Sequence, residues 1–111
     1  MSDGAFGSVH IPWYATGFRA DGLEDALGEI APVAMRYGAS AYGVHRARDD
    51  RYRFSQMARF PDKTSWERYW YGPEFTAWRA RHSSWYQVPV QSEWYDVVSE
   101  GALAAQPAPA S

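Results

Sequence analysis

The first strand of the chain is predicted by an alternation of apolar and polar residues between Gly7 and Tyr14. Its apolar side is β-branched and aromatic and consists of Val9, Ile11 and Trp13. His10 and Pro12 fall on the other side. Because proline has no N–H to donate to a neighbouring strand, Pro12 is expected at a sheet edge or a bulge.

The first helix is predicted from residue 21 to Gly38, where apolar residues recur three and four positions apart. The recurring residues are Leu23, Ala26, Leu27, Ile30, Ala34 and Tyr37. Asp21 is expected to cap this helix, and Glu24 completes a capping box. Pro32 removes one backbone hydrogen bond within the helix, so a kink is expected there.

Two strands and a divided helix are predicted in the second half of the chain. The strands cover residues 39–48 and 51–60 and meet at a tight turn formed by Asp49 and Asp50. The helix begins near residue 63, is interrupted at Gly72 and Pro73, and resumes as far as His82.

A final strand fits residues 92–98, which gives the order β-α-β-β-α-β. This order predicts an α+β fold of the ferredoxin-like type, with an antiparallel sheet and two helices on one face. The domain is expected to cover residues 7–99. Residues 1–6 form an extension, and residues 100–111 are predicted to be a disordered tail because Ala and Pro dominate them.

Composition describes a small globular protein. The chain has 111 residues, 46% hydrophobic and 22% charged, with a net charge of −2. That charge gives no general attraction to nucleic acids or anionic membranes, so neither partner is expected. The absence of cysteine excludes disulfides and thiolate metal sites. The first residues lack a signal-peptide pattern, and a cytoplasmic protein is therefore expected.

Aromatic residues are numerous for a single small core. The chain has six Trp, eight Tyr and five Phe, and the stretch WERYWYGPEF is half aromatic. Trp66 and Phe75 are expected in the core, because an aromatic stripe at helical spacing usually packs. For Tyr69, Trp70 and Trp78 two interpretations stay open, core packing or the wall of a substrate pocket, because their polar atoms need partners.

His10 is the candidate catalytic residue, because an imidazole with a pKa of about 6.5 can accept a proton from a phenol or quinol. The alternative is a histidine that only packs within its strand. Arg59 is favoured over Arg53, on the same strand face, for orienting a phenolate or carboxylate substrate. His45 is a further substrate-binding candidate, or else a simple sheet-edge residue. The three histidines lack metal-ligand spacing, so no metal site is expected.

The stretch FPDKTSWERYWYGPEFTAW resembles the second-helix region of the antibiotic-biosynthesis monooxygenase-like proteins of the dimeric α/β-barrel superfamily. The shared pattern is an aromatic strand end, a polar turn, an amphipathic half-helix, a break at proline and an aromatic second half. The likeness covers residues 7–98. It implies a homodimer whose two sheets lie face to face, with Trp94 expected in the interface. It also implies a small-molecule pocket between the sheet and the helices of each protomer.

That family includes cofactor-independent oxygenases of polycyclic phenols, quinol oxidases, haem-degrading enzymes and lactone isomerases. In the haem-degrading branch, the functional residues are an Asn, a Trp and a His, and their positions match His10, Tyr69 and Trp78 here. An indole cannot ligate iron, so no haem and no other cofactor is expected, although His82 lies one helical turn beyond Trp78.

Three functions stay open on the sequence. The first is a homodimeric, cofactor-independent monooxygenase or isomerase of an aromatic or quinone-like metabolite, in which His10 removes a proton. The second is a ligand-binding or sensing protein of the same fold without turnover. The third is an RNA-binding module, because the RNA-recognition fold has the same element order. The acidic charge and the lack of that module's third-strand motif argue against the third.

Overall fold

The computed structural model describes residues 6–103. The strands and helices of this part of the chain are β1 (Gly7–Tyr14), α1 (Ala20–Ile30), a 3₁₀ helix (Ala31–Tyr37), β2 (Ala41–Arg46), β3 (Arg53–Phe60), α2 (Lys63–Trp70), α3 (Pro73–Arg81) and β4 (Glu93–Asp96). This order confirms the predicted ferredoxin-like α+β fold. Most of the predicted extension, residues 1–5, and most of the predicted tail, residues 104–111, lie outside the described residues. No helix within residues 6–103 is both long and apolar enough to cross a membrane.

The four strands form one antiparallel sheet in the order β2-β3-β1-β4. The helices cover the face that carries Val9, Ile11 and Trp13, and each of these side chains is 1% exposed. We call the other side of the sheet the open face. Its residues are Ser8, His10, Pro12, Tyr14, Ala41, Gly43, His45, Arg53, Ser55, Met57, Arg59, Glu93 and Tyr95.

The start of α1 corrects one prediction. The helix begins at Ala20 after Arg19, which provides no side-chain cap, so the capping role predicted for Asp21 was wrong. Asp21 lies inside the first turn instead, where its carboxylate binds Arg46 of β2 at 3.0 Å. Glu24, one turn later, binds the same guanidinium at 2.8 Å. These two acidic residues therefore attach α1 to the edge of the sheet.

The predicted kink at Pro32 takes the form of a change of helix type. The chain tightens into the 3₁₀ helix at Ala31, immediately before the proline. This fits a residue that cannot donate the backbone hydrogen bond of an α-helix. Gly38 ends the 3₁₀ helix with a φ of 100°, a left-handed conformation that glycine adopts without steric cost.

Pro12 occupies a local edge of the sheet, as predicted. The carbonyl of Tyr14 accepts a hydrogen bond from the N–H of Gln87, so the even-numbered residues of β1 direct their backbone groups towards β4. The ladder between the two strands pairs His10 with Glu93 and ends there, because Pro12 has no N–H to continue it. Pro12 therefore accounts for the end of β4 at Glu93, and β4 covers four residues in place of the seven predicted.

The remaining elements agree with the prediction in kind and differ in detail. The second helix is divided at Gly72, as predicted. The connection between β2 and β3 spans residues 47–52 and is wider than a tight turn. Asp50 organises this loop by accepting hydrogen bonds from the hydroxyl of Tyr14 and the N–H of Tyr52. Trp94 packs against the core on the helix side, so its predicted place in a sheet-face interface was wrong.

Candidate functional site

The space between the sheet and the helices is filled by aromatic side chains. Trp13, Tyr69 and Trp78 are each 1% exposed, and Phe75 is fully buried. The rings of Trp13 and Trp78 meet edge to face at 5.3 Å, and Trp78 lies parallel to Tyr86. The structure therefore assigns Tyr69 and Trp78 to the core, and Trp78 also borders a surface cavity of about 260 Å³ between α1, the 3₁₀ helix and α3. Trp66 and Phe75 are buried, as predicted.

The polar atoms of these core residues bind one another. The indole N–H of Trp13 donates to the side-chain carbonyl of Gln56 at 2.9 Å, and the Gln56 amide donates to the hydroxyl of Tyr69 at 3.2 Å. The Tyr69 hydroxyl in turn donates to the carbonyl of Ile30 at 2.7 Å. Burial raises the pKa of Tyr69 well above its usual range. This chain of hydrogen bonds leaves these groups satisfied without a ligand.

Trp70 has a different environment from Tyr69 and Trp78. It is half-buried, and the guanidinium of Arg79 lies 3.9 Å from its ring centre. Nη1 of Arg79 is buried and has no hydrogen-bond partner within residues 6–103, and burial lowers the pKa of this guanidinium. Beside Trp70, an open recess of about 720 Å³ extends past Tyr71 to the segment of residues 90–93. Trp70 therefore borders a surface recess rather than an enclosed pocket.

His10 lies on the open face, where its ring is exposed. Its Nε2 lies 3.1 Å from the hydroxyl oxygen of Ser8, and the ring of Tyr95 meets the imidazole edge to face at 4.8 Å. The Tyr95 hydroxyl donates to Glu93 at 2.7 Å, and this hydrogen bond raises the pKa of Tyr95. His10 thus has a hydroxyl and an aromatic ring as neighbours on an accessible surface.

Arg59 lies on the same face, one strand away from His10. The sheet register places Ser8 between Arg59 and Tyr95, so Arg59 and His10 are diagonal neighbours, about 7 to 8 Å apart at their Cα atoms. Nη1 of Arg59 forms an ion pair with Glu100. Its Nε is buried and has no hydrogen-bond partner in the described part of the chain.

A surface cavity of about 340 Å³ adjoins Arg59 and Ser8, and a second one of about 540 Å³ adjoins Ser8, His10 and Tyr95. Both cavities lie on the open face, and Glu100 lines both. We call this region the open-face recess. Its residues are Ser8, His10, Met57, Arg59, Tyr95 and Glu100.

His45 also lies on the open face, on the edge strand β2. Its imidazole folds over Gly43, so that a Cβ on Gly43 would be 3.1 Å from Cε1 of the ring. Gly43 pairs with Met57, and Met57 pairs with His10. His45 therefore lies on the β2 side of Met57, and it lines neither of the two cavities of the recess.

The predicted site residues fall into two groups separated by the sheet. His10, Arg59 and His45 share the open face, whereas Tyr69, Trp70 and Trp78 lie on the helix side. A common pocket for all six is not formed. Among residues 6–103, no three His, Asp or Glu side chains gather in a way that could hold a metal ion.

The sequence patterns did not identify three residues next to the candidate site residues, namely Tyr95, Glu100 and Arg79. Tyr95 could have been found by alternation, since it faces His10 once β4 is paired with β1. Glu100 lies in the predicted tail and forms a long-range ion pair that no local pattern indicates. Arg79 resembled any other charged residue of a surface helix, and only its packing on Trp70 distinguishes it.

Comparison with known proteins supports the fold. No known family profile matches the chain, and no curated protein sequence matches it. Among solved structures, PA3566 from Pseudomonas aeruginosa is similar, with a TM-score of 0.77 and 17% identity over 89% of this chain and all of that one.

Two further solved structures carry functional names. A putative antibiotic biosynthesis monooxygenase from Nitrosomonas europaea has a TM-score of 0.77 and 13% identity, over 88% of this chain and 95% of that one. SnoaB, a cofactor-independent oxygenase from Streptomyces nogalater, has a TM-score of 0.72 and 14% identity, over 91% and 99%. The resemblance to antibiotic-biosynthesis monooxygenase-like proteins is thereby confirmed for the fold.

Proposed function

We propose that this chain is a homodimeric small-molecule-binding protein that acts as a cofactor-independent monooxygenase on an aromatic or quinone-like metabolite. The observation that carries the proposal is that an exposed imidazole, His10, and a guanidinium, Arg59, are diagonal neighbours on the open face and line two adjoining cavities of the recess. A base and a cation side by side suit a substrate that becomes an anion. The fold shared with SnoaB, an oxygenase described as cofactor-independent, supports the same reaction class.

In the proposed reaction the substrate supplies all the electrons. His10 accepts a proton from a ring carbon or from a phenol conjugated to it, and Arg59 stabilises the resulting anion. The anion passes electrons to molecular oxygen and forms a carbon–oxygen bond. A CH₂ carbon becomes C=O, and the second oxygen atom leaves as water with the two hydrogens. Tyr95 offers an aromatic surface to the substrate ring.

A dimer would give the recess the dry environment that this chemistry needs. The anion reacts productively where water is excluded, and His10 is exposed in the single chain. A second open face laid over the first would cover His10, Met57 and Tyr95. Tyr95 is 46% exposed and Phe6, beside Arg59, is 52% exposed, so apolar surface is available for such a contact.

Oxygen uptake tests the proposal. Purified protein with a metal chelator and no added cofactor is incubated with a panel of polycyclic phenols and hydroquinones, and consumption of oxygen and incorporation of oxygen-18 are recorded. One oxygen molecule consumed per product, with one labelled atom in that product, is expected. Product formed without oxygen uptake would instead indicate an isomerase.

Variants locate the activity. His10→Asn should lower turnover about 10²- to 10⁴-fold while ligand affinity changes only a few fold, because a general base acts mainly in the transition state. His82→Asn, on the helix side, is its matched control. Arg59→Gln should weaken substrate binding, whereas Arg53→Gln, on the same strand face, should not. Equal turnover in His10→Asn and wild type would contradict the assignment of the base.

A second candidate function is ligand binding or sensing without turnover. It is favoured by the filled interior, in which Trp13, Tyr69 and Trp78 are each 1% exposed. Binding of flat phenols that depends on Arg59, without oxygen uptake for any of them, would favour this function over the oxygenase.

A further inference from the structure

The chain after β4 crosses one end of the open face. Residues 97–103 form this segment, which we call the strap. The sheet row beneath it contains Tyr95, Ser8, Arg59 and Ala41, in that order from β4 to β2. Strap residues line both cavities of the recess, together with His10 and Tyr95 on one side and with Arg59 and Ala41 on the other. The strap therefore passes directly over the proposed site.

Glu100 is the strap residue in contact with Arg59. Its carboxylate forms an ion pair with Nη1, and within residues 6–103 Arg59 has no other carboxylate partner. The ring of Phe6 lies 4.4 Å from the same guanidinium. Nε of Arg59 is buried and has no hydrogen-bond partner in the described residues. A buried donor without an acceptor is costly, so this group is suited to an additional acceptor.

We propose that Glu100 occupies, in the free protein, the place of the ligand's acidic group, and that an aromatic ligand bearing a carboxylate or phenolate displaces Glu100 from Arg59. This inference rests on the proposed function for the location of the site. The side-chain carboxylate of Glu100 pairs with Nη1 and leaves Nε unused. A carboxylate from outside can bind a guanidinium through two parallel hydrogen bonds that include Nε, which makes it a stronger partner.

The proposal specifies a class of ligand. A flat acid gains the pairing with Arg59 and places its ring near Tyr95 and His10, whereas a neutral ring of the same size gains only the aromatic contact. Glu100 thus competes with acidic ligands and leaves neutral ligands unaffected. The strap thereby lowers the apparent affinity for acidic ligands.

Binding measurements with two probes test this inference. The probes are 1-hydroxy-2-naphthoate and the neutral 1-naphthol, titrated by calorimetry against the full chain. Glu100→Gln should bind the naphthoate about 3- to 10-fold more tightly than wild type, because a partly exposed ion pair no longer competes. Affinity for 1-naphthol should not change. Glu67→Gln, the same change on an exposed position of α2, should leave both affinities at the wild-type level.

A second variant shows whether the gain passes through Arg59. Arg59→Gln should weaken naphthoate binding, and adding Glu100→Gln to it should give no further gain. The inference is overturned if Glu100→Gln leaves naphthoate affinity unchanged, if it strengthens both probes equally, or if neither protein binds the naphthoate. If Glu100→Gln binds the naphthoate more tightly as predicted but no substrate gives oxygen uptake, only the proposed oxygenase function is contradicted. If a substrate gives oxygen uptake but Glu100→Gln does not change naphthoate binding, only the competition between Glu100 and the ligand is contradicted.

Discussion

Gln56 is the polar residue that organises the aromatic core. It is 1% exposed and connects the indole N–H of Trp13 to the hydroxyl of Tyr69. Gln56→Met keeps a similar volume but leaves the Trp13 N–H without an acceptor, and we expect the free energy of unfolding to fall by about 1 to 3 kcal/mol. Urea unfolding measures this change. A loss below about 0.5 kcal/mol would mean that water or another group replaces Gln56.

The buried hydroxyl of Tyr69 predicts a loss of stability in alkali. Because burial raises its pKa in the folded state, the unfolded chain loses this proton first, near the usual tyrosine pKa of about 10. Below that pH the hydroxyl is protonated in both states, and its full contribution to the free energy of unfolding is present. Above it, the free energy of unfolding should fall by up to about 1.4 kcal/mol per pH unit. Burial also raises the pKa of Tyr86, which acts in the same direction.

Urea unfolding from about pH 8 to about pH 11 would measure this dependence in wild type and in Tyr69→Phe. The variant should decline less steeply with pH than wild type. Tyr42→Phe, which alters a side chain that is 44% exposed, is the matched control. If Tyr69→Phe and wild type decline in parallel, the hydroxyl of Tyr69 is not protected from ionisation in the folded state.

The sequence predicted which chemical groups the site residues could supply, but it did not predict where those residues lie in the fold. A histidine on the first strand and an arginine on the third indicated a base and an anion-binding group, and the sheet register makes His10 and Arg59 neighbours. The sequence could not show on which side of the sheet the site lies. Tyr69 and Trp78 were open to either interpretation because burial depends on the packing of three helices, not on local spacing.

Local sequence patterns predicted β1 and the division of the second helix at Gly72, since alternation and the Gly-Pro pair act within a few residues. Local sequence patterns did not predict the side of the sheet on which Trp94 lies. It depends on the register between β4 and β1, which pairs Trp94 with Val9 and so turns the indole towards the helices. A strand of four residues carries too little pattern to specify this register.

The contact between β1 and β4 depends on the lack of a side chain at Gly7. A Cβ there would overlap the indole of Trp94, so Gly7→Ala should displace that ring and lower the free energy of unfolding by about 1 to 3 kcal/mol. Tryptophan fluorescence should shift to longer wavelength. Gly28→Ala is the matched control, because nothing lies within 4 Å of the added methyl group. Equal stability of the two variants would contradict this packing.

We expect the whole molecule to be a dimer formed by two open faces. Light scattering should give about twice the chain mass of 12.6 kDa. Met57→Glu places a charge at the middle of the open face, opposite His10, and should give a folded monomer. Met35→Glu, at a side chain 49% exposed on the 3₁₀ helix, should stay dimeric. If the Met57→Glu variant stays dimeric, the dimer interface lies on another surface of the protein.

The position of a bound ligand decides between two alternative sites, one on the open face of the sheet and one on its helix side. A crystal structure of the protein with 1-hydroxy-2-naphthoate would show it. We expect the carboxylate to bind Arg59 in place of Glu100 and the rings to lie against His10 and Tyr95 on the open face. Naphthoate bound on the helix side, beside Trp70 and Arg79, with Glu100 still paired to Arg59, would contradict this expectation.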